Sequence, residues 1–275
     1  MRDKPNTFIV DSFSHEAFKG NPAGVCLLEE MLEPDRMQKI AAELNLSETA
    51  FVLVDSADSL ESFQTHGIRY FSPKMEIPLC GHATLAAAKV LFDTEGLTKV
   101  SFRTFDGVEL CSRQVEDRIE MEFPIYELQP ASVPKALLDA LGVSRVEYSG
   151  YNAETKILML EISTAAELAE LQPDFNSLVA SHDSINGVLV TARANDEFDF
   201  HSRYFWPWSG TNEDPATGGT HTFLAKYWSE KLGKRRMHSF QASKRTGNLE
   251  VEIDAAGKLL IRAGAVIVLE GRLKA

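Results

Sequence analysis

Cysteine is scarce in this 275-residue chain, where Cys26, Cys80 and Cys111 are the only three. An odd number at such spacing builds neither a disulfide framework nor a C-x-x-C metal or redox motif, and it fits a reducing cytoplasm. Long apolar runs are missing too, since nothing approaches the roughly 18 uninterrupted apolar residues of a membrane-spanning helix. The opening MRDKPNT leads straight into an apolar, strand-like stretch and lacks the apolar core of a signal peptide. Basic residues are outnumbered, 28 against 40 acidic, giving a formal net charge of −12. The average field repels phosphate backbones and anionic bilayers, so neither nucleic acid nor membrane is expected as a partner.

Familiar catalytic signatures are absent as well. There is no P-loop, no G-x-G-x-x-G after a strand and no G-x-S-x-G elbow, which removes the strongest signals for nucleotide cofactors and serine hydrolases. The seven histidines, at 15, 66, 82, 182, 201, 221 and 238, show no metal-ligand spacing, so neither metal nor cofactor is expected. What is present is the composition of a globular protein, 44% hydrophobic and 25% charged, with a length that suits two domains or one large one.

An internal echo organises the chain. Arg69-Tyr70-Phe71-Ser72-Pro73 recurs as Arg203-Tyr204-Phe205-Trp206-Pro207, an offset of 203 − 69 = 134. Further on, Glu76–Leu91 shares five of sixteen residues with Glu213–Trp228, an offset of 213 − 76 = 137. Both copies lead into a glycine-led helical pattern, which makes duplication a better reading than chance. In the first half the pattern predicts a helix from Pro34 to about Leu44 with Asn45 as left-handed terminator, strands at 50–54 and 68–71, and an apolar helix from Gly81 to Asp93. In the second half it predicts a short helix at 175–181, strands at 188–191 and 201–205, and a helix from Gly218 to Leu232. Further strands are expected at 7–13, 25–28, 100–104, 108–113, 118–123, 157–161, 249–253 and 259–268. The expected fold is α+β, a pseudo-twofold duplication of two similar domains, each a curled, mostly antiparallel sheet around a central apolar helix. The boundary is expected at 1–120 and 121–275, with the last strand free to return to the first domain.

Three segments could carry chemistry. Leu79–Thr84 opens the first apolar helix and Gly210–His221 the second; free amides and the positive end of the helix dipole suit carboxylates or enolates. The third, Asn45–Phe51, puts Glu48 at a helix-to-strand turn, where burial would poise a carboxylate as general acid or base. Each has a plain structural alternative. Ser47 and Glu48 suit a solvated turn, Cys80 a small buried hydrophobe, His82 a helix cap, and Asp214-Pro215 an ordinary turn with Glu213 in water. Trp206 and Trp208 suit either a flat ligand or packing.

These segments, together with Gly20-Asn21-Pro22-Ala23-Gly24-Val25, resemble the phenazine-biosynthesis isomerase (PhzF-like) family of the diaminopimelate epimerase fold. The likeness runs through VDSFSHEAFKGNPAGVCLL, LSETAFV, RYFSPKMEIPLCGHATLAAA and GTNEDPATGG. The resemblance implies two similar halves with the active site in the cleft between them, no cofactor or metal, a homodimer, and a proton shift on a small carboxylate-bearing ring. It assigns Glu48 as the proton-transferring group, with His82 and Asp214 lining the site. It assigns Asn21, Cys80, Gly81, Thr217, Gly218 and Gly219 to the binding of a small anionic substrate. Thr217 stands where two-thiol epimerases carry a second cysteine, which disfavours a symmetric two-cysteine racemase. Gly219 stands where isomerase relatives often carry serine, so one substrate-facing hydroxyl is missing.

Two rival functions remain open at this point: a Cys80-dependent epimerase or hydrolase, and a non-catalytic small-carboxylate binding protein.

Overall fold

The computed structural model describes residues 4–54 and 65–274. The chain divides into two compact units, Met1–Glu122 with Ile261–Ala275, and Phe123–Leu260. The first contains β1 (Asn6–Ser12), β2 (Asn21–Leu28), α1 (Pro34–Leu44), β3 (Glu48–Leu53), β4 (Thr65–Phe71), β5 (Glu76–Ile77), α2 (Gly81–Glu95), β6 (Lys99–Thr104), β7 (Glu109–Val115) and β8 (Arg118–Phe123). The second contains β9 (Gln129–Pro130), α3 (Lys135–Leu141), β10 (Tyr148–Asn152), β11 (Ile157–Glu161), α4 (Ala165–Glu170), α5 (Phe175–Ala180), β12 (Gly187–Arg193), β13 (Phe200–Trp206), β14 (Thr211–Asp214), α6 (His221–Leu232), β15 (Arg236–Gln241) and β16 (Gly247–Ile253). β17 (Leu259–Ala263) carries the chain back to the first unit, and β18 (Ala265–Arg272) completes it. The fold is α+β, and no helix among the described residues is long and apolar enough to cross a membrane.

In the first unit β1 lies between β2 and β18, antiparallel to both. β2 and β3 run parallel, which requires a crossover, and α1 supplies it. Pro34 begins α1 where its missing N–H costs nothing, and Asn45 ends it at φ 51, ψ 36, its amide bonded to the Ala41 carbonyl. One face of α1, Met37, Ile40 and Ala41, packs on Cys26, Leu28, Phe51 and Phe71. The other side of the sheet curls around α2, which touches β1, β2, β3, β6, β7 and β18. Nine of the fifteen residues of α2 are buried, and the alanines at 83, 86, 87 and 88 let the strands approach closely. β3 is therefore covered on both faces, and its first five residues are buried.

The second unit repeats this pairing plan. β10 is antiparallel to β11, β11 parallel to β12 and β12 antiparallel to β13. β13 is antiparallel to β14 and parallel to β15. Each step matches its counterpart in the run from β1 to β6. α6 occupies the place of α2, with Trp228 stacked on Phe200 of β13 and bonded through Nε1 to Thr191 of β12. An outer layer of α3, α4 and α5 buries Leu137, Leu141, Leu168 and Leu178 against Leu158, Leu160, Val188 and Val190. Both inner helices end on a left-handed glycine, Gly96 and Gly233, themselves 233 − 96 = 137 residues apart.

The echoed residues prove to be one device built twice. Arg69 Nε and Nη2 grip Glu76 at 2.7 and 2.8 Å, and Arg203 grips Glu213 through the same atoms at 2.7 and 3.0 Å. Each guanidinium also lies over a phenylalanine ring two residues on, Phe71 at 5.5 Å and Phe205 at 4.9 Å. The fork ties a long strand to the short strand that delivers the chain to the inner helix.

Three expectations need correction. α6 begins at His221 rather than Gly218, because Gly218 and Gly219 are poor helix formers and the chain there makes turns, with His221 N–H on Gly218 O and Thr222 N–H on Gly219 O. The strand expected at 259–268 is two strands split at Gly264, where a Cβ would come within 2.7 Å of His15 and 2.8 Å of the Ser14 carbonyl. β5, β9, β10, β14, β15, α3 and α4 are not among the expected elements.

The two forks carry unequal loads. Arg203 Nη1 also donates to the carbonyls of Leu168 and Leu171, at 3.2 and 2.7 Å, satisfying the end of α4. Arg203→Met leaves a half-buried carboxylate and two carbonyls without their donor and is expected to cost about 2–3 kcal/mol. Arg69→Met, whose partner Glu76 is 35% exposed, is expected to cost about 1 kcal/mol. Urea unfolding of both variants measures the difference, and equal losses would contradict it.

Candidate functional site

Glu48 is the first residue of β3, immediately after the turn that closes α1. The turn is braced from β2: Ser47 Oγ donates to Asn21 Oδ1 at 3.2 Å, and Asn21 is fully buried. Asn21 thus holds the turn that precedes Glu48. Cys80 is the N-cap residue of α2, in extended conformation at φ −144, ψ 110, and its side chain does not cap the helix. The thiol is turned toward the start of β3 instead.

The first turn of α2 is anchored on three sides. Ser12 of β1 donates to the His82 carbonyl at 2.8 Å. Thr84 Oγ1 donates to the Cys80 carbonyl at 2.7 Å and meets the hydroxyl of Tyr70. With that turn fixed, Cys80 Sγ lies 3.8 Å from Glu48 Oε2 and 3.4 Å from His82 Nδ1, while His82 Nε2 lies 3.1 Å from the same Glu48 oxygen. All three residues are largely buried, with 12% of the Glu48 and His82 side chains left exposed.

The electrostatics follow from burial and mutual contact. Burial pushes the Cys80 thiol up; His82 opposes this, Glu48 reinforces it, and the Ala83 amide that points at the sulfur offsets only part. Cys80 therefore holds its proton at neutral pH. Burial alone would lower the His82 imidazole, yet its contacts with Cys80 and Glu48 outweigh that and hold it well above its ordinary value. The thiol donates to Glu48 Oε2, and His82 Nε2 contacts the same oxygen.

The second unit holds a different set of groups in the equivalent loop. Asp214 ends β14 and accepts from the Thr217 hydroxyl. Buried Gln241 closes the loop, accepting from the Thr217 amide at 2.9 Å and donating to the Asp214 carbonyl at 2.8 Å. Thr217 thus has both its amide and its hydroxyl engaged within the loop. Its carbonyl accepts from His221 Nδ1 at 3.0 Å, as the Cys80 carbonyl accepts from Thr84 exactly 137 residues earlier in the chain. Gly218 and Gly219 lie in the turn ahead of α6, and a Cβ at Gly219 would meet nothing within 4 Å. A serine hydroxyl has room there. Trp206 stacks on Tyr204 at 5.8 Å and Trp208 Nε1 donates to the His182 carbonyl at 2.7 Å, so both are engaged in packing.

Sequence reasoning named Glu48, Cys80 and His82 separately, and the structure brings them together with Gly81, the first residue of α2. It gathers Asp214, Thr217, Gly218 and Gly219 in the second unit. It also reveals Ser12 and Gln241, which carried no local signal because their partners are distant in sequence or are main-chain atoms, and it gives Ser47 and Thr84, which lie in two of the segments singled out, supporting roles.

The phenazine biosynthesis-like protein (PhzC-PhzF) family model matches residues 10–271. A phenazine biosynthesis-like domain-containing protein 2 from Mus musculus is 42% identical over 98% of this chain and 98% of its own. A Pseudomonas aeruginosa protein described as an uncharacterized isomerase is 40% identical over 97% of each chain. The crystal structure of a PhzF-family phenazine biosynthesis protein from Enterococcus faecalis superposes with a TM-score of 0.90 at 34% identity, covering 99% of this chain and 100% of that one. In fold alone, the likeness extends to a hydroxyproline epimerase from Agrobacterium vitis, with a TM-score of 0.55 at 10% identity over 99% of this chain and 93% of that one.

His221 gives a pH-dependent expectation. It donates through Nδ1 to the Thr217 carbonyl, Nε2 meets Ser239 Oγ at 2.8 Å, and burial pushes its pKa from 6.5 down to about 4. Between those values the unfolded chain takes up a proton that the folded one refuses. Stability is therefore expected to fall as pH drops from 6.5 toward 4, by up to about 3 kcal/mol from this residue. Unfolding free energies of wild type and His221→Asn across that window test it, with the variant expected to show the shallower slope.

Proposed function

Because the chain belongs to the phenazine biosynthesis-like (PhzC-PhzF) family, we propose that it is an isomerase or epimerase that moves a proton on a small carboxylate-bearing, cyclic substrate without a cofactor. The observation that carries this reading is the pairing of Glu48 with His82 at 3.1 Å, inside a largely buried site at the start of a helix. His82 and Cys80 both contact Oε2, which leaves Oε1 of Glu48 to meet a substrate proton. Glu48 takes the proton from a carbon activated by a neighbouring carboxylate or conjugated system and returns it to another carbon, or to the other face of the same one.

His82 orients the carboxylate and holds a positive charge beside it throughout. The amides at the amino end of α2, Gly81 first, face the electron-rich intermediate with donors that need no rearrangement. The second unit's Asp214, Thr217, Gly218 and Gly219 enter the reading as substrate contacts. Asn21 enters it through Ser47, as the brace of the turn that carries Glu48. The description of the Pseudomonas aeruginosa relative as an isomerase supports the reaction class. Homodimeric assembly and a cytoplasmic location belong to the same reading.

Deuterium exchange into a panel of small cyclic carboxylates, followed by NMR, tests the role of Glu48. Glu48→Gln keeps the shape and removes the base, and exchange is expected to fall by at least about 100-fold. Exchange near the wild-type rate in that variant would end the assignment.

The 3.4 Å contact between Cys80 and His82 favours a second reading, in which Cys80 is the acting thiol. That reading requires a reactive thiolate, whereas burial holds the proton on sulfur. Native iodoacetamide labelling is expected to modify exposed Cys111 well before Cys80, and rapid, pH-dependent labelling of Cys80 with loss of activity would reverse the order of preference.

A further inference from the structure

The same three side chains form a triangle with a second chemical use. Cys80 Sγ lies 3.8 Å from Glu48 Oε2 and 3.9 Å from His82 Nε2, and that nitrogen lies 3.1 Å from the oxygen. A tetrahedral zinc ion, at about 2.3 Å from sulfur, 2.0 Å from nitrogen and 2.1 Å from oxygen, spaces such pairs about 3.4–3.6 Å apart. Each observed edge is within about 0.4 Å of that figure, and because Sγ stands nearer Nδ1, at 3.4 Å, than Nε2, the imidazole turns about its Cβ–Cγ bond to aim the Nε2 lone pair at the ion.

We propose that Glu48, Cys80 and His82 bind a thiophilic divalent cation, zinc above all, through three protein ligands with a fourth position open, and that the bound ion switches the acid/base site off. The inhibitory half of this inference rests on the proton-transfer reading above; the binding half does not.

Chemistry, charge and support agree on the ligand. A thiolate with an imidazole and one carboxylate selects zinc over magnesium or calcium, which prefer oxygen donors throughout. Thiolate and carboxylate together carry two negative charges, so the dication leaves a neutral complex in a buried site where net charge is costly. Binding displaces two protons to solvent, one from the Cys80 thiol and one from the His82 ring, so affinity rises with pH. The ligands are already held in place by the Ser12 bond to the His82 carbonyl, the Thr84 bond to the Cys80 carbonyl and the brace of Asn21 on Ser47. The exposed fraction of Glu48 and His82 provides the route in and room for a water as fourth ligand. Once zinc holds Glu48 and His82 Nε2, neither is available to a substrate proton.

Histidine spacing along the sequence was blind to this set because one ligand comes from the start of β3 and two from the start of α2. Among the described residues it is the group of His, Cys, Asp and Glu side chains whose ligand atoms all fall within 4.8 Å of one another.

Cobalt(II) titration of the intact, reduced protein tests the site without any substrate. One equivalent is expected to produce sulfur-to-cobalt charge-transfer absorption in the near ultraviolet and the intense visible bands of a four-coordinate ion, both removed by added zinc. Cys80→Ser is expected to lose the sulfur band, and Cys111→Ser to keep it. Glu48→Gln and His82→Asn are expected to weaken zinc binding by more than about tenfold, since even outer-shell partners carry that much. Circular dichroism checks each variant for folding, and should Cys80→Ser unfold, these two affinities decide. Absence of the sulfur band in the wild type, its survival in folded Cys80→Ser or its loss in Cys111→Ser would overturn the metal site. Saturating zinc is expected to abolish isotope exchange and a chelator to restore it; exchange undiminished by bound zinc overturns the switch. A protein that shows the cobalt spectrum but exchanges no proton keeps the metal site and loses the reaction assigned above.

Discussion

The arginine–glutamate fork is the constraint on which the rest depends. In each unit it locks a long central strand to the short strand after it, and that short strand decides where the inner helix begins. A planar guanidinium meeting a carboxylate through two parallel bonds fixes distance and orientation together, which a single contact does not. The helix start is therefore placed to within a side chain's reach, a precision that donors and acceptors at a site require.

On this shared frame the two units carry different chemistry. The first places a thiol, an imidazole and a carboxylate within reach of one another. The second puts threonine, glycine and a glutamine brace in the equivalent loop, where the polar groups largely satisfy each other. The support behind each loop is nevertheless conserved in kind, because the residue four places into each helix region bonds the carbonyl of Cys80 or of Thr217. Duplication preserved the scaffold and the hydrogen bonding of its backbone, and the thiol, imidazole and carboxylate within reach of one another stand in the first copy.

Much of this was legible in the chain itself, for identifiable reasons. The helix at Pro34–Leu44 was bounded by a residue that suits a first turn and one that tolerates left-handed geometry, and both do what their chemistry allows. The echo at an offset near half the chain identified both inner helices because the forks and the close-packed alanines constrain the sequence strongly. Helix α6 began late because glycine content overrides the repeat locally, and α3 and α4 were missed because short outer helices carry few periodic positions. At the site, Glu48, Cys80 and His82 were visible as residue types next to predicted turns. Their meeting was not, since it depends on the parallel pairing of β2 with β3 and on Ser12 reaching across 70 residues of chain to the first turn of α2.

The pairing of β1 with β18 sets an order on biosynthesis. The second unit is one continuous stretch, Phe123–Leu260, but the first is closed by a strand that ends at Arg272. As the chain leaves the ribosome, the strand carrying Ser12 waits with one edge unpaired until β18 has been made, and α2 waits with it for one of the strands that enclose it. The first unit is thus closed only after the second has been made.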